Sequence, residues 1–307
     1  MSLMAVGDCS AALRTGQCHS HPFGFGAWDF ILGTLYLVGT PIGNLEDITL
    51  RALRILKKVS LIAAEDTRHA RILTQRYEIE TPITSYFEGN KLTKLEAVLG
   101  ALDAGDVALI SEAGMPGLSD PGYELVCAAI ERGSPVVPVP GPSAPVTALV
   151  VSGLPSDSFL YLGFLPRRQK ERRKLLADVA DERRALIAFE APHRLRKSLA
   201  DFEAVLGDRP LAVCREMTKL HEEIWRGSVA EARAHFDEVE PRGEFTLVIG
   251  GAPEEEHERW NEERVRAALD ELLAQGARRS AAARRVAAAS GWERREVYRL
   301  GLDGAGD

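Results

Sequence analysis

The sequence predicts an α/β protein of two α/β lobes with a ligand crevice, followed by a small all-α unit. Three observations lead there. From Thr34 onward, short β-branched or aliphatic runs alternate with longer amphipathic segments, the pattern of strands joined by crossover helices. That alternation restarts after Gly153-Leu154-Pro155, a Gly/Pro joint. Beyond the acidic stretch Glu254 to Glu263 the chain then changes to Ala- and Arg-rich helix. At 307 residues it is long enough for two or three units, each with its own core.

Residues 33–153 form the first predicted lobe, with strands at Thr34–Val38, Ser60–Ala64, Val107–Ser111 and Val136–Val139. Helical patterns near Thr49–Lys58, Thr67–Tyr77, Thr93–Ala104, Gly122–Arg132 and Ser143–Ser152 fill the intervals, which makes the sheet parallel in type. Residues 154–252 form the second lobe, with strands at Phe159–Leu162, Ala185–Phe189, Leu211–Arg215 and Phe245–Gly250 and a charged helix from Gln169. Residues 1–32 are expected to be a disordered extension. Ala5 to Gly26 is rich in Gly, Ser and His, has neither helical nor strand periodicity, and lacks the basic start and long apolar core of a signal peptide.

Composition narrows the function classes. No run approaches the roughly eighteen consecutive apolar residues of a membrane span, so a cytoplasmic protein is expected. Cys9, Cys18, Cys127 and Cys214 are scattered without C-x-x-C spacing, and His193 and His221 complete no ligand triad, so no metal is expected. A net charge of −7 argues against a chain that coats nucleic acid generally, leaving the decision to local basic patches.

Two such patches stand out. In residues 253–307, a linker and then a helix-turn-helix, Ala287, Gly291 and Val297 lie at offsets of four and ten. The small residue admits a close helix, Gly makes the turn, and Val packs inward. Arg284, Arg285, Arg294, Arg295 and Arg299 suggest a phosphate-binding face there. The alternative is a helical hairpin that only packs on the body. The second patch is Arg167, Arg168, Lys170, Arg172, Arg173 and Lys174, read either as an RNA-backbone contact or as a solvated helix face balanced by Asp178, Asp181 and Glu182.

Gly-rich loops at the ends of parallel strands form the ligand crevice of such a sheet. Four qualify: Val38 to Thr49, in which Asp47 or Thr49 caps a helix; Ala63 to Arg71; Ser111 to Gly122; and Val137 to Leu149. There is no G-x-G-x-x-G fingerprint and no GK[ST] loop, which excludes a Rossmann dinucleotide site and a nucleotide triphosphatase.

The strings LVGTPIGNLEDIT, AEDTR, SEAGMPGLSDPG, VPGPSA, PHR, REMTKLHEE and GEFTLVIGG, in this order and spacing, resemble the tetrapyrrole methylase superfamily and, within it, the ribosomal small-subunit methyltransferase I family. The resemblance runs from about Gly33 to Gly251, and the C-terminal unit resembles the helix-turn-helix appended to that family. It implies S-adenosylmethionine bound in a cleft between the lobes, 2′-O-methylation of a cytidine in the decoding region of 16S rRNA, and a homodimer. Carried over by position, Gly114, Met115, Pro116 and Ser119 form the cofactor loop, Ser143 and Ala144 lie beside it, and Ala191 and Thr246 close the adenine side. Two departures stand out. Phe87 and Gly89 replace histidines of the family's Y-H-E-H-N string, and Glu112 stands where Asp is usual.

Methyl transfer from a sulfonium needs alignment first, then a base or a cation for the developing alkoxide. Asp66 or Glu65 is expected as the base and Arg68 or Lys219 as the electrostatic partner; the alternative for the Glu65, Asp66 and Arg68 group is a capped helix start with a local ion pair. Asp120 and Glu112 are expected to order the loop. The rival functions are methylation of a tetrapyrrole or protein side chain, and a DNA-binding regulator with an effector-sensing α/β body.

Overall fold

The structure, a computed structural model, describes residues 32–253 and 260–303. The expected N-terminal extension and most of the acidic linker lie outside those residues.

The first sheet comprises β1 (Leu35–Val38), β2 (Leu61–Ala64), β3 (Ile83–Ser85), β4 (Val107–Ile110) and β5 (Val136–Val139). Their order is β3-β2-β4-β1-β5, with every pair parallel. β4 reads Val-Ala-Leu-Ile without alternation because all four residues are buried, as befits a strand covered on both faces. β3 was not expected; it is a three-residue edge strand whose half-buried side chains give no apolar run to read.

Helices α1 (Leu50–Lys58), α2 (Thr67–Arg76), α3 (Lys91–Ala104), α4 (Tyr123–Glu131) and α5 (Ala144–Ser152) follow the strands. Of the two cap candidates for α1, Thr49 serves, its hydroxyl accepting the Ala52 N–H at 3.0 Å. α5 crosses the lobe boundary in its packing. Ala148 and Leu149 are buried against Ala185, Ile187, Ala212 and Val248 of the second sheet, so the helix that ends the first lobe covers a face of the second.

The second lobe holds β6 (Phe159–Phe164), α6 (Gln169–Asp178), β7 (Ala185–Glu190), α7 (Leu195–Leu206), β8 (Pro210–Arg215), β9 (Glu223–Ser228), α8 (Val229–Glu238) and β10 (Phe245–Ile249). Sheet order is β6-β7-β10-β8-β9; β6 and β7 are parallel and the other pairs antiparallel, so the sheet is mixed. β9, with the sequence EIWRGS, shows little apolar signal because it is a half-buried edge strand. Ser228 and Glu231 then form a reciprocal capping box that starts α8 directly from it.

The C-terminal unit is all-α: α9 (Glu262–Ala274), α10 (Arg279–Ser290) and α11 (Arg294–Asp303) around Val265, Leu269, Ala282, Ala283, Val286 and Val297. Gly291 ends α10 in the left-handed region at φ 67°, and Ala287 packs half-buried on the same core. Trp292 Nε1 donates to the Trp260 carbonyl at 2.6 Å, tying the turn to the start of α9. Among the described residues no helix is long and apolar enough to cross a membrane.

Candidate cofactor cleft and active site

A cleft of about 640 Å³ opens between the two lobes, within the size range of small-molecule sites. Its first wall is backbone. Thr40 and Gly114 exchange hydrogen bonds of 2.9 and 3.1 Å, joining the loop after β1 to the loop after β4. Gly114 sits at φ 83°, where a side chain is strained. A Cβ on Gly39 would lie 2.8 Å from Gly141 backbone and 2.8 Å from Met115 Sδ, so the loops after β1 and β5 touch only because both positions are glycine. Gly114, Met115, Ser119, Ser143 and Ala144 all line the cleft, whereas Pro116 is buried off its wall.

The second wall comes from β7, β8 and β10. Ala191 and Thr246 line it, as do Glu190, Cys214 and Met217. Thr246 pairs with Phe189 and Cys214 in the sheet register, which brings the ends of three strands to one place. Contacts fix the walls together. Ser119, held at φ 65°, shares a 2.8 Å hydrogen bond with the Tyr161 hydroxyl of β6. Thr218 Oγ1 accepts the Asn44 N–H at 3.0 Å, and a Cβ on Gly43 would lie 2.5 Å from Lys219 Cγ.

The acidic groups divide between two tasks. Asp66 caps α2, accepting the Arg68 N–H at 2.7 Å and the Arg68 guanidinium at 2.8 Å. Those bonds, first the side-chain bonds from Arg68, hold its carboxyl far below the usual range, which makes it a weak base. Neither Asp66 nor Arg68 lines the cleft, and the Arg68 side chain is 85% exposed. Glu65 does line it. Burial raises its pKa, helped by the charges of Glu112 and Asp66 and opposed by the Glu112 N–H that donates to it at 3.1 Å. Asp120 lies on the same wall, and its pKa is pushed up to about 7, first by burial, then by the charge of Glu65 and less by that of Glu112, against a bond from Ser111. In sequence Asp120 reads as a loop-ordering residue, and its only mark is a carboxylate set among Gly, Pro, Leu and Ser.

Lys219 lines the cleft from the other side and is paired with Glu244 at 2.9 Å and Glu216 at 3.1 Å. Burial works against its charge, but the two carboxylates outweigh it and keep the amine protonated.

The basic clusters are placed differently. Arg284, Arg285, Arg294 and Arg295 are exposed on α10 and α11. Arg167, Arg168 and Lys170 are exposed at the start of α6. Arg172 is not: it is buried in an ion pair of 2.5 Å with the fully buried Asp201 of α7, which removes it from the expected RNA contacts. Arg173 reaches the same carboxylate at 2.6 Å from a half-exposed position. The balancing acid is thus Asp201, with Asp178 taking Lys174 at 2.7 Å.

Residues 34–233 match the family described as Tetrapyrrole (Corrin/Porphyrin) Methylases. The fold is that of uroporphyrin III C-methyl transferase from Thermus thermophilus in its native form, with a TM-score of 0.52 at 22% identity over 71% of this chain and 97% of that one. Among curated proteins, the chain is 47% identical over 274 residues to ribosomal RNA small subunit methyltransferase I of Synechocystis sp., spanning 89% of this chain and 98% of the relative. It is 45% identical to the protein of that name from Halalkalibacterium halodurans, over 87% of this chain and 94% of the relative, and 42% identical to that of Bacillus subtilis, over 87% and 93%. On that family match and those identities, the chain belongs to the ribosomal RNA small subunit methyltransferase I family of the tetrapyrrole methylases.

Proposed function

We propose that this protein is an S-adenosylmethionine-dependent methyltransferase acting on the ribose 2′-hydroxyl of a cytidine in the decoding region of 16S ribosomal RNA. The observation that carries the reading is 47% identity to a small-subunit methyltransferase over 89% of this chain and 98% of that one, with the interlobe cleft in place. Family membership supports S-adenosylmethionine as the donor, and the residues present fit it. Gly114, without a side chain and at φ 83°, puts backbone on the cleft wall, and the wall formed by Glu65, Glu112 and Asp120 suits a sulfonium and an ammonium cation. When bound, the cofactor supplies an electrophilic methyl group.

This chain's residues do the rest. The Ser119–Tyr161 and Asn44–Thr218 bonds join the two walls, so donor and acceptor are held in line. A hydroxyl proton needs an acceptor matched to neutral pH, and Asp120 is that acceptor, with Glu65 beside it. The protonated Lys219 amine across the cleft stabilises the developing alkoxide. Asp66 and Arg68 shape the start of α2 and take no part in the chemistry. The exposed arginines of α10 and α11, in a helix-turn-helix, and those ahead of α6 hold the RNA backbone. The protein works in the cytoplasm as a homodimer.

The test is transfer of labelled methyl from S-adenosylmethionine to 30S subunits, naked 16S rRNA, tetrapyrrole and DNA in parallel. Label in 16S rRNA alone is expected. Label in tetrapyrrole, or in no RNA fraction, overturns the reading.

A further inference from the structure

Building on the rRNA reading above, we propose that the Phe164–Arg168 turn is a nucleobase subsite: Phe164 stacks on a base of single-stranded RNA while Arg167 and Arg168 hold the phosphates beside it. Phe164 ends β6 on the cleft wall and is 60% exposed. One side of it is occupied by Phe189, 5.2 Å away between ring centroids, and Phe189 is in turn met edge-on by Tyr161 at 5.5 Å. The three rings form a supported ladder whose outermost member is exposed on the cleft wall.

The turn that follows is held by two buried ion pairs. On one side Arg194, bonded through Nε to Glu190 at 2.6 Å, donates from Nη2 to the Leu165 carbonyl at 2.9 Å. Glu190 is itself buried and accepts from the Ala191 N–H and the Ser198 hydroxyl. On the other side Arg172, bonded through Nε to Asp201 at 2.8 Å, donates from Nη1 to the carbonyls of Pro166 at 3.2 Å and Arg167 at 3.4 Å. Buried ion pairs are a poor way to gain stability compared with apolar packing. Here they fix three consecutive carbonyls of one surface turn, so the backbone that carries Phe164, Arg167 and Arg168 has little ordering left to lose on binding.

The chemistry of the ligand follows. An exposed ring with cations three and four residues beyond it suits a flat π-system flanked by anions, which is an unstacked nucleotide within a strand. Arg168 is paired with Glu171 at 3.3 Å, and both side chains are exposed, so a phosphate can displace that carboxylate at little cost. Position on the cleft wall puts the stacked base beside the methyl-transfer site, where it can hold the ribose of its own or the neighbouring nucleotide towards the cleft.

The experiment is steady-state methylation of 30S subunits by wild type, Phe164→Ala, Phe164→Trp and the double variant Arg167→Ala/Arg168→Ala, with S-adenosylmethionine affinity and thermal melting measured on each. Phe164→Ala is expected to raise KM for 30S about tenfold or more, as loss of one base–aromatic stack does, with cofactor affinity within about twofold of wild type. Phe164→Trp should restore KM, and the double variant should lower the log–log salt slope of RNA binding by about 1 to 2. An unchanged KM in Phe164→Ala overturns the proposal, as does a loss that follows cofactor affinity or melting temperature, which marks a packing role. If the wild type methylates no RNA, the functional reading falls and the subsite with it, a result distinct from an active wild type with a silent variant.

Discussion

The two walls of the cleft are built by opposite means. The first is made of glycines and backbone, with Gly39 against Gly141 and Gly114 bridged to Thr40. Opposite it, the second wall is held by buried charge, with Glu190 and Arg194 on one side of the Leu165–Arg167 turn and Asp201 and Arg172 on the other. The backbone of the first wall can approach a ligand closely, and the carboxylates beside it, Glu65, Glu112 and Asp120, suit a cation. A wall braced by ion pairs gives up some stability to fix the direction of a few exposed side chains. The difference suits a cofactor common to many methyltransferases on one side and a particular polymer on the other.

Substitutions can break this comparison at graded cost. Asp201→Ala leaves the Arg172 guanidinium buried without its partner and should destabilise the fold by about 3–5 kcal/mol in denaturant unfolding. Loss of less than about 1 kcal/mol would mean the pair is not structural. Asp120→Asn should lower kcat by about 10²- to 10⁴-fold, the range for losing a general base. The sign of the pH effect follows from the raised pKa. The base must be deprotonated, so wild-type kcat/KM falls as pH drops below about 7, and the variant's profile should be flat there. A wild-type acidic limb that survives in Asp120→Asn would transfer the task to Glu65.

On the backbone wall, Gly39→Val drives a side chain into Gly141 and should misplace the cofactor enough to cost about 100-fold in kcat/KM. Tyr161→Phe removes only the hydroxyl that meets Ser119 across the lobes and should cost about 1 kcal/mol in transition-state stabilisation, read as a several-fold loss of kcat. Smallest of all, Arg68→Ala should leave turnover within about twofold, because the side chain projects into solvent and away from the cleft.

The same contrast decides what the sequence discloses. Glycines at positions 39, 114 and 141 are legible because a close backbone approach or a positive φ admits little else, and residue type alone marks the loops of the first wall. The alternation of strands and helices is legible for the same kind of local reason. Ion-pair partners are not. Arg172 sits in a run of cations that suggests solvent or RNA, and only the folding of α7 back onto α6 brings Asp201, 29 positions later, against it. β3 and β9 are not legible in the sequence because edge strands bury little and show no apolar period. Phe164 and Asp120 each look ordinary in sequence. Their meaning comes from exposure of one and burial of the other in a shared cleft, which is a property of the assembled lobes.

The central claim is that the cleft delivers a methyl group to a ribose oxygen. Its most direct measurement is alkaline hydrolysis of 16S rRNA after reaction of 30S subunits with the protein and S-adenosylmethionine, resolved nucleotide by nucleotide. The account predicts one new resistant bond, after a cytidine in the decoding region, where a methylated 2′-oxygen can no longer attack its phosphate. A complete ladder with the methyl group on a base would contradict it.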